Sequence, residues 1–341
     1  MSEKASLFVV INHTAARARE AWPRVRAELE RARVRFEAHE AMHEGETEEH
    51  TRAAFAGGFE TVAAVGGDGT LSAAASGYFE PCAGLSEGES PRAVNSSAAL
   101  AIIPAGTGDD FARGLAGGRR APLEDWVARL VKRCRRDAFE REDEGAAYLH
   151  RLETTLQVDV MLCSLEEGAR RFVCLNAATL GIGAEVVTKV AAQGATARRL
   201  PGEARFALAA VPRLVAWRNR RVRIHVDGRV WRECGTNLIA VVNGAYAGGG
   251  MNFSPQASLT DGLLDVLAVC DISRPALVRE LARIHSGGHL NNPKVKLTRA
   301  RHVRVETLDA RQTLGVEADG DPRGHTPADF RVMPAAMRVV F

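Results

Sequence analysis

The chain has 341 residues, 46% of them apolar and 26% charged, and a formal net charge of +3. This is the globular average and excludes global disorder and fibrous repeats, while the mild charge excludes a dedicated nucleic-acid binder with a dominant basic stripe. Only five of the 45 basic residues are Lys (4, 132, 189, 294 and 296); the rest are Arg, which suits phosphate contacts but which codon bias explains equally well.

No run approaches the ~18 apolar residues of a membrane span. The start, MSEKASLFVVIN, mixes charges with one short apolar run and reads as a first strand, not a signal peptide. Residues 5–11 predict a buried strand, and 15–32 a helix with Trp22, Val25 and Leu29 at helical spacing. A strand over 33–39 and a helix over 46–57 follow, the latter closed by Gly57-Gly58. The next strand, 61–65, stops at Gly66-Gly67-Asp68-Gly69-Thr70 and leads into a helix over 70–78. Residues 80–97 read as a surface loop. A strand over 98–103 ends in Pro104-Ala105-Gly106-Thr107-Gly108-Asp109-Asp110-Phe111, and a helix over 122–134 closes the unit. Strands alternating with helices predict a parallel sheet covered on both faces.

Beyond about 136 the pattern changes. Strand-like segments stand at 154–163, 170–180, 222–232, 236–243, 263–270 and 301–308, with helices at about 184–192, 203–218 and 274–286. Asp227-Gly228 is a hairpin signal. The expectation is an α/β domain over 1–135, an antiparallel β-sandwich domain over 136–325, and a tail over 326–341 packing back on either. With no long linker, the two domains are expected to share a cleft. The six cysteines (82, 134, 163, 174, 234, 270) form no C-x-x-C and read as reduced, mostly buried thiols of a cytosolic protein. His39/His43 and His285/His289 have metal-clip spacing but no third ligand, which makes coincidence the better reading.

Chemistry concentrates in the loops. Ligands of open α/β sheets bind beyond the carboxyl ends of strands. Glycines there let the backbone approach a phosphate, and the following helix N-terminus offers free N–H groups. Two such loops, with Asp68, Asp109 and Asp110 beside them, point to a polyphosphate with a metal; each alone is equally a tight turn with an N-cap. No Gly-Lys pair, no G-x-G-x-x-G and no His-Arg-Asp occurs, so the commoner phosphate signatures are absent. Gly84-Leu85-Ser86-Glu87-Gly88 matches G-x-S-x-G, but in a turn-rich loop, and is discounted. The second half offers Asn243-Gly244 followed by Gly248-Gly249-Gly250, a turn over Ser258–Asp265 whose Asp261 could hold a hard cation, and Asp319-Gly320-Asp321. The last is either a plain hairpin turn or two carboxylates on a rigid turn.

Together these motifs resemble the diacylglycerol kinase catalytic family, which includes bacterial lipid kinases and the sphingosine and ceramide kinases. The set is Gly-Gly-Asp-Gly-Thr, Pro-x-Gly-Thr-x-x-Asp-Phe-Ala-Arg (104–113), Asn-x-x-x-x-Gly-x-x-Ala-Glu (176–185), Asn-Gly-x-x-x-Gly-Gly-Gly-Met (243–251), Ser-Pro-x-Ala-Ser-Leu-x-Asp-Gly-Leu-Leu-Asp (254–265) and Asp-Gly-Asp (319–321). Gly-Gly-Asp-Gly alone is shared with NAD kinases; the whole set spans essentially the entire chain. The resemblance implies ATP-dependent phosphorylation of a lipid hydroxyl in a cleft between an α/β nucleotide domain and a β-sandwich. By the family pattern Asn12, Gly66, Gly67, Asp68, Gly69, Thr70, Leu71, Ser72, Gly106 and Thr107 would contact ATP. The carbonyls of Ser258 and Leu263 with the Asp261 carboxylate would hold a structural Mg²⁺. Asp321, where many relatives carry Glu, would be the general base, with Asp68 the rival candidate. Departures are His13-Thr14-Ala15-Ala16 in the first loop, Ala41 where relatives place a nucleotide-contacting Thr, and Asp109 in place of Asn.

The resemblance also implies a cytoplasmic enzyme that meets its substrate at an anionic membrane surface. Arg198–Arg221, an apolar stretch with Arg at its ends, is a candidate contact through its arginines, while its apolar face is better read as covering the sandwich. The Arg133–Arg136 cluster reads as a solvated face. An exposed sheet edge would allow a homodimer. Diacylglycerol is the default acceptor. The alternatives are a ceramide or sphingoid base, an NAD kinase, and a non-catalytic nucleotide or lipid sensor.

Overall fold

The computed structural model describes residues 5–86, 88–137, 154–191, 217–309 and 311–341. The expected helix over 203–218, and Arg198–Arg221 up to position 216, lie outside these residues. The chain forms two units. One comprises the chain up to Asp159 together with Ala335–Phe341; the other is Val160–Pro334.

The first unit contains β1 (Leu7–Asn12), α1 (Ala16–Arg31), β2 (Phe36–Ala41), α2 (Glu46–Ala56), β3 (Thr61–Gly66), α3 (Asp68–Tyr78), β4 (Ala99–Pro104), α4 (Asp110–Leu115) and α5 (Leu123–Asp137). The strands pair in parallel in the order β2-β1-β3-β4. The C-terminal residues add a parallel neighbour to β4, Val339 standing opposite Leu100. Every residue of β3 is buried, as a strand packed on both faces requires. Helices α1, α2, α3 and α5 supply that cover. Each buries an apolar stripe; in α1 it is Ala18, Ala21, Trp22, Val25 and Leu29. In α5 the stripe runs Trp126, Leu130 and Cys134, and Arg133 falls on it, seven residues after Trp126. Arg133 is therefore fully buried, which corrects the expectation of a solvated face there.

The second unit begins within β5 (Thr155–Leu165) and continues with β6 (Arg170–Cys174), β7 (Ala177–Gly181), α6 (Ile182–Ala191), β8 (Arg220–Val226) and β9 (Arg229–Val242). Then come β10 (Tyr246–Ala247), β11 (Met251–Asn252), β12 (Leu264–Cys270), α7 (Arg274–Arg283), β13 (Val295–Ala300) and β14 (His302–Thr307). It ends with β15 (Gly315–Ala318), β16 (Asp321–His325) and β17 (Ala328–Val340), which crosses back into the first unit after Pro334. The pairing is antiparallel throughout, in the order β16-β15-β7-β9-β8-β14-β17. Strand β12 also pairs with β9 and carries β13. Buried residues of these strands, consecutive in β7 and β12, build one core from Met161 and Leu180 to Val266, Val305 and Phe330.

Several expectations change. Where the sequence suggests a boundary at 135, the first unit runs on to Asp159, so the division falls within β5. The expected tail forms β17, whose last residues join the first unit; there Asp159 Oδ1 accepts the Ala335 N–H at 2.8 Å. Cys234 and Cys270 form a disulfide, with Cα atoms 5.9 Å apart, because β9 and β12 are paired neighbours; the expectation of only reduced thiols is corrected for this pair. Among the described residues no group of three or more His, Cys, Asp or Glu side chains is arranged to hold a metal. His39 stacks on His50 at 3.5 Å, and His285 and His289 each bond a backbone carbonyl. No helix among the described residues is long and apolar enough to cross a membrane.

Candidate active site

The two glycine loops leave the carboxyl ends of adjacent parallel strands, β3 and β4, and touch. A Cβ on Gly106 would stand 2.6 Å from the Gly67 Cα, and one on Gly67 would stand 3.0 Å from the Gly106 Cα. Only two glycines allow that approach. Gly66 is under a similar constraint, since a Cβ there would lie 2.3 Å from Thr70 Oγ1. Asp68 opens α3 and turns its carboxylate across to the other loop. Its Oδ1 accepts the N–H of Asp110 at 2.7 Å and of Phe111 at 3.3 Å, tying the start of α4 to the first loop. Burial, helped by the Asp110 charge, pushes the Asp68 carboxyl up to about 7. Asp109 sits at φ 50° and accepts the Gly106 N–H at 2.8 Å; burial raises its pKa as well.

Asn12, at the end of β1, donates Nδ2 to Thr70 Oγ1 at 2.9 Å. Its Oδ1 accepts both the N–H and the hydroxyl of Thr14. The first unit thus gathers Asn12, Gly66, Gly67, Asp68, Thr70 and Gly106 at one edge of its sheet. Gly69 lies open on the first turn of α3. Leu71 and Ser72 are buried, and the Leu71 N–H donates to the Gly67 carbonyl at 3.0 Å. Thr107 is exposed, and its carbonyl accepts from Arg120. Arg17 donates to the Gly106 carbonyl at 2.7 Å. Neither arginine belongs to a motif; for Arg17 the available signal was its place on the first turn after the Asn12 loop, and for Arg120 there was none.

In the second unit the 176, 243 and 319 motifs meet, although they lie far apart in sequence. Asn243 N–H donates to the Asn176 carbonyl at 2.7 Å, and its Nδ2 to the Leu175 carbonyl at 2.8 Å. A Cβ on Gly244 would lie 2.6 Å from Asn176 Oδ1. Asp319 and Gly320 close the β15–β16 hairpin with φ of 50° and 91°, the left-handed pair of a type I′ turn. The Asp319 carboxylate turns back and accepts the N–H groups of Leu175 at 2.8 Å and Asn176 at 2.9 Å. Of the turn's two acids, Asp319 is therefore a bracket. Asp321 points outward, 61% exposed, with Arg323 at 3.2 Å. Beneath the turn, buried Glu317 accepts from Thr179 Oγ1 at 2.5 Å and from the Gly320 N–H at 2.7 Å. Burial pushes the Glu317 carboxyl up to about 7.

The Ser258–Asp265 turn stands before β12. Asp261 Oδ1 accepts the Leu263 N–H at 3.1 Å, and Oδ2 lies 3.4 Å from Arg299. Arg299 also bonds buried Asp265 at 2.9 Å and the Gln256 carbonyl at 2.6 Å. Asp261 is a half-buried carboxylate with a guanidinium beside it, on a turn whose backbone carbonyls are oxygen donors of the kind a hard cation takes.

Comparison with known proteins matches this architecture. The diacylglycerol kinase catalytic domain model matches residues 6–138, and the YegS C-terminal NAD kinase beta sandwich-like domain model matches residues 178–341. The protein named "Probable lipid kinase YegS-like" from Pseudomonas aeruginosa (strain UCBPP-PA14) is 30% identical over 297 residues, covering 87% of this chain and 81% of that one. A Mycobacterium tuberculosis (strain CDC 1551 / Oshkosh) diacylglycerol kinase is 28% identical over 305 residues, covering 89% and 82%. A crystal structure of a diacylglycerol kinase from Bacillus anthracis str. Sterne has the same fold, with a TM-score of 0.62 at 19% identity over 100% of this chain and 98% of that one. Yeast NADH kinase shares the fold more loosely, with a TM-score of 0.50 at 11% identity, covering 99% and 84%. The two matched domains, in this order and over this span, make the chain a member of the lipid-kinase family of diacylglycerol kinases and YegS-like kinases.

Proposed function

We propose that this enzyme transfers the γ-phosphoryl group of ATP to the hydroxyl of a membrane lipid, with diacylglycerol as the acceptor. The observation that carries the reading is the contact between Gly67 and Gly106, which joins two glycine turns at the carboxyl ends of β3 and β4. Backbone without side chains beside the N-terminus of α3 is a seat for phosphate. Asn12, the segment Gly66, Gly67, Asp68, Gly69, Thr70, Leu71 and Ser72, and Gly106 with Thr107 hold the nucleotide. Asp68 is a positioning residue, because its Oδ1 spends itself on two backbone N–H groups of the neighbouring loop.

The reaction forms a bond from the lipid oxygen to the γ-phosphorus and breaks the bond to the ADP oxygen. The hydroxyl proton passes to the Asp321 carboxylate, a group worth ~10²–10⁴-fold in such transfers. Asp is one methylene shorter than Glu, and the turn that carries it is braced by both Asp319 and Glu317. Asp261 with the carbonyls of Ser258 and Leu263 would hold Mg²⁺, which when bound supplies fixed positive charge to that turn. A lipid acceptor brings the enzyme to a membrane surface, and an Arg-rich chain favours an anionic one.

The test is transfer of labelled γ-phosphate from ATP to diacylglycerol, monoacylglycerol, ceramide, sphingosine and phosphatidylglycerol in mixed micelles, with NAD as soluble control. Labelled phosphatidate is the expected product. Another labelled lipid would change the acceptor; labelled NADP, or no product at all, would overturn the reading.

A further inference from the structure

Two guanidinium groups outside every motif converge on the second glycine loop. Arg17, on the first turn of α1, donates Nη1 to the Gly106 carbonyl at 2.7 Å. Arg120 donates Nη2 to the carbonyls of Thr107 and Gly108, the latter at 3.1 Å. It also stands 3.8 Å from Asp109 Oδ2. Three successive carbonyls of one loop are thereby held from two sides. Both side chains are exposed. Each guanidinium has five N–H donors, so each retains donors beyond those the carbonyls take.

The charge pattern of α1 points the same way. The N-terminus of a helix carries partial positive charge and favours acidic residues. Helix α1 has none in its first turn and no side-chain cap from Ala15; it has Arg17 and Arg19 there instead, and Arg19 reaches back to the His13 carbonyl at 3.0 Å. Cations at the positive end of a sixteen-residue helix are unfavourable until an anion joins them. The same loops carry the carboxyl groups of Asp68, Asp109 and Asp110, which repel a polyphosphate unless fixed cations stand beside them. The chain has no lysine in either loop.

We infer that Arg17 and Arg120 bind the polyphosphate tail of the nucleotide, the task that a loop lysine performs in other phosphate sites, while their carbonyl bonds hold the loop ready for it. The inference rests on the reading that ATP is the phosphoryl donor. Arg is suited to it because its planar fork can bond a backbone carbonyl and a phosphate oxygen together.

The experiment is isothermal titration of the full chain with ATP and with AMP at two salt concentrations. Arg17→Gln and Arg120→Gln keep a donor for the loop carbonyls and remove the charge. Each should weaken ATP on the order of ten- to a hundred-fold and AMP far less, and should flatten the salt dependence of ATP binding. Arg17→Lys should recover part of the loss. Arg26→Ala, which removes a cation paired with Glu30 elsewhere on α1, should leave the ATP-to-AMP ratio unchanged. Equal losses for ATP and AMP would overturn the inference and reduce both arginines to loop supports; unchanged ATP affinity would overturn it outright. If the unaltered chain bound neither nucleotide, the ATP reading itself would fall first.

Discussion

The dipeptide Asp-Gly closes two hairpins of the second unit, and the comparison separates scaffold from chemistry. Asp227-Gly228 joins β8 to β9 with φ of 49° and 78°; Asp319-Gly320 joins β15 to β16 with 50° and 91°. Both aspartates do the same job. Asp227 donates its N–H to the His302 carbonyl at 2.9 Å, and its Oδ1 accepts the N–H groups of Arg301 and His302, each at 2.9 Å. Asp319 donates its N–H to the Ala177 carbonyl at 3.0 Å and accepts from Leu175 and Asn176. Each turn therefore clips its hairpin to the start of a neighbouring strand. The difference lies in the flanks. After the first turn comes Arg229; after the second comes Asp321. Two residues before the first stands His225, 3.3 Å from Glu306; two residues before the second stands buried Glu317. The turn is a common bracket, and on the proposed function the chemistry would belong to what the second one presents.

The largest expected effect tests that division directly. Asp321→Asn should lower phosphoryl transfer ~10²–10⁴-fold with an unchanged melting temperature, whereas Arg229→Ala should change neither. An active Asp321→Asn would make the two turns equivalent and remove the base assignment.

The next effect is electrostatic. An unfolded Glu titrates near 4.3, while burial raises Glu317 to about 7. The fold thus favours the protonated form. That stabilisation is complete below the ordinary carboxylate range and is lost as pH rises through about 7. Urea unfolding from pH 5 to 8.5 should show stability falling by on the order of 3 kcal/mol for a group shifted this far. Asp68, also raised to about 7, adds a decline of the same sign. Glu317→Gln can still accept the Gly320 N–H on its oxygen and donate its amide N–H to Thr179 Oγ1, and should flatten its share of the slope; an unaltered slope would show that Glu317 does not titrate there.

A smaller difference separates the brackets themselves. Asp319→Ala strips partners from half-buried backbone N–H groups and should cost about 2 kcal/mol. Asp227→Ala, whose partners are exposed, should cost about 1 kcal/mol. Denaturant midpoints at one pH compare the two. The smallest test is one of sameness. A Cβ on Gly228 or on Gly320 would meet nothing within 4 Å, so each Gly→Ala pays only the left-handed backbone cost of about 1 kcal/mol. A markedly larger loss at Gly320 would mean that the turn is more tightly held than its twin.

Much of this was legible along the chain. The strands β1, β3 and β4 announced themselves as uninterrupted apolar runs, since a strand buried on both faces has no polar side to display. The glycine loops and Asp-Gly turns were legible because left-handed φ and close backbone approach restrict the residue almost to glycine. Ser258, Asp261 and Leu263 fall on one short turn and needed no tertiary information to be grouped. Helix α4 escaped notice, being only six residues long, too short for a periodicity.

What the sequence by itself determined is therefore local: where most strands and helices of the first unit run, where glycine is obligatory, and, through the order of motifs, which family the chain resembles. What only the tertiary structure decided is long-range. Asp319 and Asp321 are alike in sequence, and their division into bracket and outward acid depends on the Leu175–Asn176 backbone lying beside the turn. Cys234 and Cys270, 36 residues apart, bond because two strands pair. Arg133 is buried because α5 turns that face to the core, and Arg17 and Arg120, far apart in sequence, reach one loop of the first unit. Periodicity and turn chemistry act between neighbours in the chain, whereas burial, ion pairing and pKa depend on which distant groups folding brings within a few ångströms.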